Sequence, residues 1–183
     1  MRRANAIITA AVLILFLFHA VFGGMVLFGM IKGGSRIFSF LSWAMAFLIA
    51  CHVLISAKMT LDTLRAQKKA GVSYPGANRL FWIRRVSGTA VFVFMILHVL
   101  IFNGRTMNGV YLLNFFGPPE LVTQILLVVS LIVHLLTNIT PLRIALGFSD
   151  QGGLKTDILL ILAVILLFTG AAFVVYFIRW LAV

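Results

Sequence analysis

The sequence predicts an all-α integral membrane protein with five transmembrane helices, and three observations carry that prediction. Of its 183 residues, 62% are hydrophobic and 10% charged, with a mean hydropathy of +1.13. A soluble domain holds about 45–50% apolar and about 25% charged residues. Five apolar stretches, 6–31, 37–57, 82–103, 120–140 and 157–179, each come near the roughly 17–25 residues that cross a bilayer. With their connectors they use nearly the whole chain as one membrane domain, 1–183, so chemistry in water is expected to belong to a partner.

Taken in order, Met1-Arg2-Arg3 precedes an apolar run much longer than the roughly 7–15 residues of a signal-peptide core, so it reads as a retained first helix. The second span continues over 56–70 as a helix rich in Lys, Arg and Gln, stopped at Gly71 and turned at Tyr74-Pro75-Gly76. That basic segment is a candidate docking surface for a soluble subunit, with anionic lipid as the alternative. The third span opens behind Arg79, Arg84 and Arg85. The segment 103–119 that follows mixes Gly, Asn and Pro with Tyr111, Leu112, Leu113, Phe115 and Phe116, a composition that can lie in the membrane interface. The fourth span closes near Pro141, and the fifth completes the chain.

The charge of +11, from 15 Lys+Arg against 4 Asp+Glu, would suggest nucleic acid in a soluble protein. Here the basic residues border apolar spans, where they set topology and meet anionic lipid, and no nucleic-acid partner is expected. With the N-terminus cytoplasmic, Arg2, Arg3, Lys58, Arg65, Lys68, Lys69, Arg79, Arg84, Arg85, Arg143 and Lys155 fall inside, and Lys32, Arg36, Arg105 and Arg179 fall outside. Positive residues concentrate on the cytoplasmic side, so this orientation is the expected one. The single cysteine, Cys51, excludes an intrachain disulfide, a covalent Cys-x-x-Cys-His haem site and an iron–sulfur cluster built from this chain alone.

All four histidines lie in spans, one on each of the first four: His19, His52, His98 and His134. Ionisable residues in a bilayer are costly and tend to face the bundle interior, pair or bind something. Asp62, Glu120, Asp150 and Asp157 all lie at or beyond membrane edges, which disfavours a carboxylate-assisted proton or ion path. Neutral imidazoles without carboxylates suit haem iron.

Counting from the inner charge markers, His52 and His134 are shallow and His19 and His98 deep. The pairs are offset by about 7 residues, or about 10 Å. In an up-down four-helix bundle, helices one and three are diagonal, as are two and four. Depth and diagonal therefore select the same pairs, and the first four helices are expected to form an up-down bundle around two stacked haems. Ser56 and Ser130, each one turn from a ligand, are candidates to orient an imidazole N–H.

This layout resembles the di-haem cytochrome b membrane anchor of succinate dehydrogenase and fumarate reductase complexes, over essentially the whole chain. The local signature is Arg84-Arg85-Val86-Ser87-Gly88 followed by His98, similar to the Arg-x-Ser-Gly and downstream ligand of those cytochromes. The resemblance implies two b-type haems, with His19 and His98 ligating the outer one and His52 and His134 the inner one. It places Arg84 and Ser87 near an inner-haem propionate.

It further implies a flavin-containing subunit and an iron–sulfur subunit on the cytoplasmic side, and a quinone, menaquinone being expected, as the lipid-borne substrate. The setting is a multi-pass protein of a prokaryotic cytoplasmic membrane, open to a higher oligomer of the complex. Lys32, Arg36, Asn103 and Arg105 are the candidate polar contacts for quinone near the outer haem, and Trp43 or Phe102 the candidate ring contact. One departure is Ile132, two residues before His134, where some members carry a glutamate, so a carboxylate-dependent transmembrane proton path is not expected. The alternatives are a cytochrome b anchor of another dehydrogenase, of hydrogenase or formate dehydrogenase type, and a haem-free transporter or assembly protein.

Overall fold

The computed structural model describes residues 1–71, 78–107, 110–112, 116–148 and 152–181. The turn expected at Tyr74-Pro75-Gly76, the residues Leu113 and Phe115, and Asp150 lie outside the described residues. Five helices, each long and apolar enough to cross a membrane, make up most of the rest.

Local chemistry sets their ends. In α1 (Arg2–Leu27), the Met30 N–H donates to Met25 O and the Gly29 N–H to Val26 O, both at 2.9 Å, with Gly29 at φ +73°. This left-handed turn uses the last carbonyls of the helix and stops it at Leu27, short of the expected 31. Gly23 and Gly24 do not interrupt α1. Gly24 is buried because a Cβ there would overlap the Phe168 ring of the fifth helix.

The second helix, α2 (Arg36–Lys69), starts at Ser35, whose hydroxyl accepts from the Phe38 N–H. Its 34 residues exceed what the hydrocarbon core needs, so its basic end projects beyond it, and Gly71 at φ +65° follows. α3 (Arg79–Phe102) is capped by the Asn78 side chain, which accepts from the Phe81 N–H at 3.1 Å.

Beyond α3, β1 (Arg105–Met107) and β2 (Val110–Leu112) pair antiparallel with Arg105 opposite Leu112. The expected interfacial segment thus contains a short hairpin, the one departure from an all-helical chain among the described residues. α4 (Pro118–Leu146) starts with two prolines, with the Glu120 carboxylate accepting from the Gly117 N–H at 2.8 Å. It continues through Pro141 and closes at Gly147 in the left-handed conformation. α5 (Gly152–Leu181) completes the chain.

Neighbouring helices alternate in direction. Thr9 meets His52 while His19 meets Ser42, so α1 and α2 are antiparallel. Arg84 meets Thr137 while His98 meets Gln124, so α3 and α4 are antiparallel too. Backbones approach closely between α1 and α2, α1 and α4, and α3 and α4, with α5 against α1 and α4. The first four helices therefore follow the spatial order α2-α1-α4-α3, and α2 and α3 make no close backbone approach among the described residues.

α5 closes the side where α1 meets α4. There Phe116, Val128, Leu166 and Phe173 form the buried apolar cluster. Arg179 at its far end donates to the Phe28 carbonyl at 2.7 Å, serving one of the orphan acceptors at the α1 C-terminus.

Candidate functional site

The four histidines lie one on each of α1 to α4, all half-buried. His19 on α1 and His98 on α3 have ring centroids 6.0 Å apart at an interplanar angle of 74°. His52 on α2 and His134 on α4 lie within electrostatic reach of each other and of Arg85. His19 and His98 are thus brought into ring contact, and His52 and His134 are near neighbours.

Each imidazole is tied at Nδ1. The His98 Nδ1–H donates to Oε1 of Gln124 at 2.7 Å. The Ser42 hydroxyl donates to the Phe38 carbonyl at 2.8 Å, so at 3.0 Å from His19 Nδ1 it acts as acceptor. Thr9 likewise donates to the Asn5 carbonyl, so the His52 Nδ1–H is shared between Thr9 Oγ1 at 3.0 Å and Asn5 Oδ1 at 3.1 Å. Ser87 donates to the Arg84 carbonyl and accepts from His134 Nδ1 at 3.3 Å. With the proton held on Nδ1, the lone pair sits on Nε2 in His19, His52 and His98, the tautomer a metal-ligating histidine requires, while His134 Nδ1 has both the Ser87 hydroxyl at 3.3 Å and the Asn138 amide nitrogen at 3.4 Å beside it.

The orienting partners are Ser42, Gln124, Asn5, Thr9 and Ser87; Ser56 and Ser130, expected from spacing, do not serve. Hydropathy could not show which face of so apolar a helix turns inward. Gln124, fully buried, was missed. The available signal was an uncharged polar residue inside an apolar span, ten residues before His134.

The tiers are also farther apart than charge counting suggested. From Thr9 to His19 on α1, His52 back to Ser42 on α2 and His134 back to Gln124 on α4 the count is ten residues each, and from Ser87 to His98 on α3 it is eleven. At 1.5 Å per residue the separation is about 15 Å, against the expected 10 Å. The markers misled because they share no plane: Lys58 lies within a helix that continues to Lys69, and Arg143 is only 4% exposed.

The signature on α3 packs against His134. Gly88 permits the approach, since a Cβ there would stand 3.0 Å from the His134 ring. Ser87 bonds the ring, and Arg84 Nε donates to the Thr137 carbonyl of α4 at 2.8 Å. Arg85 lies over the Phe81 ring, 5.0 Å from its centroid, and its buried Nε has no hydrogen-bond partner among the described residues.

Around the outer pair, Phe38 stacks on His19 at 5.2 Å, and Phe102 and Phe173 sit 4.7 and 6.1 Å from His98. Of the residues expected near quinone, Lys32, Arg36, Trp43 and Asn103 are exposed, and the Arg105 side chain lies outside the described residues. A crevice of about 250 Å³ does open between α3 and α4 at this end, lined by Leu97, Leu100, Ile101, Pro119, Glu120 and Thr123. Thr123 Oγ1 accepts from Gln124 Nε2 at 3.2 Å, so one side chain separates the crevice wall from His98.

The donor set fits haem. Among the described residues no three His, Cys, Asp or Glu side chains converge. A porphyrin supplies four nitrogens itself and asks the protein for two axial imidazoles. His19 and His98, with ring centroids 6.0 Å apart, are the residues that would hold such a group at the outer tier. No known protein family, curated protein or solved structure matches this chain.

Proposed function

We propose that this chain is the haem-bearing, quinone-reactive membrane anchor of a succinate:quinone oxidoreductase or quinol:fumarate reductase. The observation that supports the reading best is the arrangement of four histidines, one per helix, in two tiers, each with a polar partner at Nδ1 and, in His19, His52 and His98, with Nε2 left as ligand atom. Haem, when bound, supplies a one-electron carrier at each tier. His19 and His98 would hold the outer group, and His52 and His134 the inner one. A hydrogenase- or formate-dehydrogenase-type anchor would typically carry more than one functional histidine on a helix. A transporter reading would want helices broken near the midplane, whereas α1 is continuous through Gly23-Gly24.

The rest of the chain's work is positioning. The inner tier lies at the end that carries Arg2, Arg3, the basic end of α2, and Arg79, assigned to the cytoplasm by the excess of cations. Arg84 spends its Nε on Thr137 and Ser87 bonds His134, and Arg85, whose buried Nε has no hydrogen-bond partner among the described residues, joins Arg84 as a candidate cation for an inner propionate. Arg65, Lys68, Lys69 and Arg79 form the surface proposed to receive the iron–sulfur subunit, with the flavoprotein beyond it. Reversing all four charges should block recruitment of that subunit; normal assembly would leave the segment to lipid and topology.

Quinone is proposed to approach the outer tier from the bilayer through the α3/α4 crevice, with Thr123 and Glu120 as its polar walls. Protons would pass between the crevice and outer water beside Glu120, since the carboxylates lie at or beyond the span ends. The test of the whole reading is haem content: two non-covalent b-type haems per chain by pyridine haemochrome. A chain that takes up none, expressed in cells that make haem, contradicts it.

A further inference from the structure

Arg84 meets a carbonyl that the sequence itself has stripped of its partner. In α4 the carbonyl of Thr137 would normally accept from the N–H of residue 141, and residue 141 is proline, which has none. Inside a bilayer an unpaired carbonyl finds no water, so such a position needs a donor from elsewhere. Arg84 Nε supplies it at 2.8 Å from the neighbouring helix.

Next to this bond, one turn along each helix, Ser87 accepts from His134 Nδ1 and Gly88 makes room for the same ring. The remaining polar groups there are spent locally. Thr137 Oγ1 donates to Val133 O at 2.8 Å and to His134 O at 3.2 Å, and Asn138 Nδ2 donates to His134 O at 2.8 Å.

We propose that Arg84 and Pro141 form a clasp: the proline exposes the Thr137 carbonyl, the arginine takes it, and the bond holds the His134 turn of α4 against α3. Arg84 is then a positioning residue for the inner tier, acting through α4. Both partners are needed in a specific sense, because without Pro141 the arginine has no orphan acceptor to serve. A membrane-edge arginine that merely reached toward lipid headgroups would show no such dependence on residue 141.

The clasp itself needs no ligand; its consequence for the inner tier rests on the haem reading above. The experiment is a double-mutant cycle on the full chain in detergent, with Arg84→Gln, Pro141→Ala and the pair together, and Arg84→Lys as the conservative replacement. Amide hydrogen exchange in the last two turns of α4 reads the clasp without reference to haem. Arg84→Gln should speed that exchange about tenfold, the effect of leaving one buried polar group unsatisfied. In the Pro141→Ala background, where residue 141 donates to Thr137, the same change should be nearly silent, and Arg84→Lys should recover part of the protection.

If Arg84→Gln alone does not fold, the double variant is expected to fold; failure of both overturns the clasp. So does an Arg84→Gln effect of equal size in the two backgrounds. In haem-loaded protein, Arg84→Gln should alter the low-spin resonance of the centre lost on changing His134 and leave the other unmoved, with recovery in the double variant. A cycle that couples in exchange while the chain binds no haem sustains the clasp and defeats the functional reading. A coupled cycle with an unmoved inner resonance overturns the positioning role.

Discussion

The two tiers are built from the same residue type in opposite surroundings. At the outer tier each imidazole has one side-chain partner, Ser42 or the fully buried Gln124, and aromatic rings from α2, α3 and α5 fill the remaining space. At the inner tier His52 shares its proton between two acceptors, His134 Nδ1 meets both Ser87 and Asn138, and Arg84 and Arg85 stand close by with no carboxylate bonded to either among the described residues. The outer tier is apolar and depends on single hydrogen bonds; the inner tier is cationic and its bonds are distributed. Electrostatics should therefore govern the inner centre, and individual orienting contacts the outer one.

The largest effect expected from this contrast is at Gln124. Gln124→Leu removes the sole side-chain hydrogen-bond partner of His98 among the described residues, and loss of a group that orients a metal-ligating imidazole typically lowers affinity about 10–100-fold. Haem titration should show that loss at the outer centre alone; equal weakening of both centres would erase the distinction between tiers.

Arg85→Leu probes the other side. An iron centre with two neutral imidazoles carries one more positive charge oxidised than reduced, so a nearby guanidinium disfavours the oxidised form and its removal lowers the midpoint. One charge at such range, screened by an effective dielectric near 20, contributes on the order of 1–2 kcal/mol, a fall of about 50 mV in the inner midpoint. Redox titration checks this, and an unchanged inner midpoint would remove Arg85 from the account.

Thr123→Leu should have the smallest effect. It fills part of the α3/α4 crevice and removes a hydroxyl from its wall, so quinone-linked turnover should fall a few-fold, by the roughly 0.5–1.5 kcal/mol of one hydrogen bond, with both haem spectra retained. Turnover equal to the parent would move the quinone site away from this crevice.

How far these differences could be read in advance depended on the kind of signal. Spans were legible because apolar length alone decides them, and the pairs were legible because helix alternation and one histidine per helix leave few arrangements. The extension of α2 to Lys69 followed from its charged, helix-forming composition and Gly71. The hairpin at Arg105–Leu112 was not, since its pairing depends on register rather than composition.

Tier spacing was misjudged because Lys58 and Arg143 are not surface markers, and the orienting side chains were missed because nearly every face of these helices is apolar. Arg84 carried two readings, a propionate contact and a membrane-edge anchor, and neither anticipated Thr137. That bond becomes visible only when Pro141 is set opposite it on the packed helix.

The most direct test of the central claim is the reduced-minus-oxidised haem spectrum, with haem content, of four single variants: His19→Ala, His98→Ala, His52→Ala and His134→Ala. The account expects two b-type haems in the parent and one in each variant. His19 and His98 should remove the same spectral component, and His52 and His134 the other. A parent chain without haem, or loss of the same component on changing His19 and His52, would contradict it.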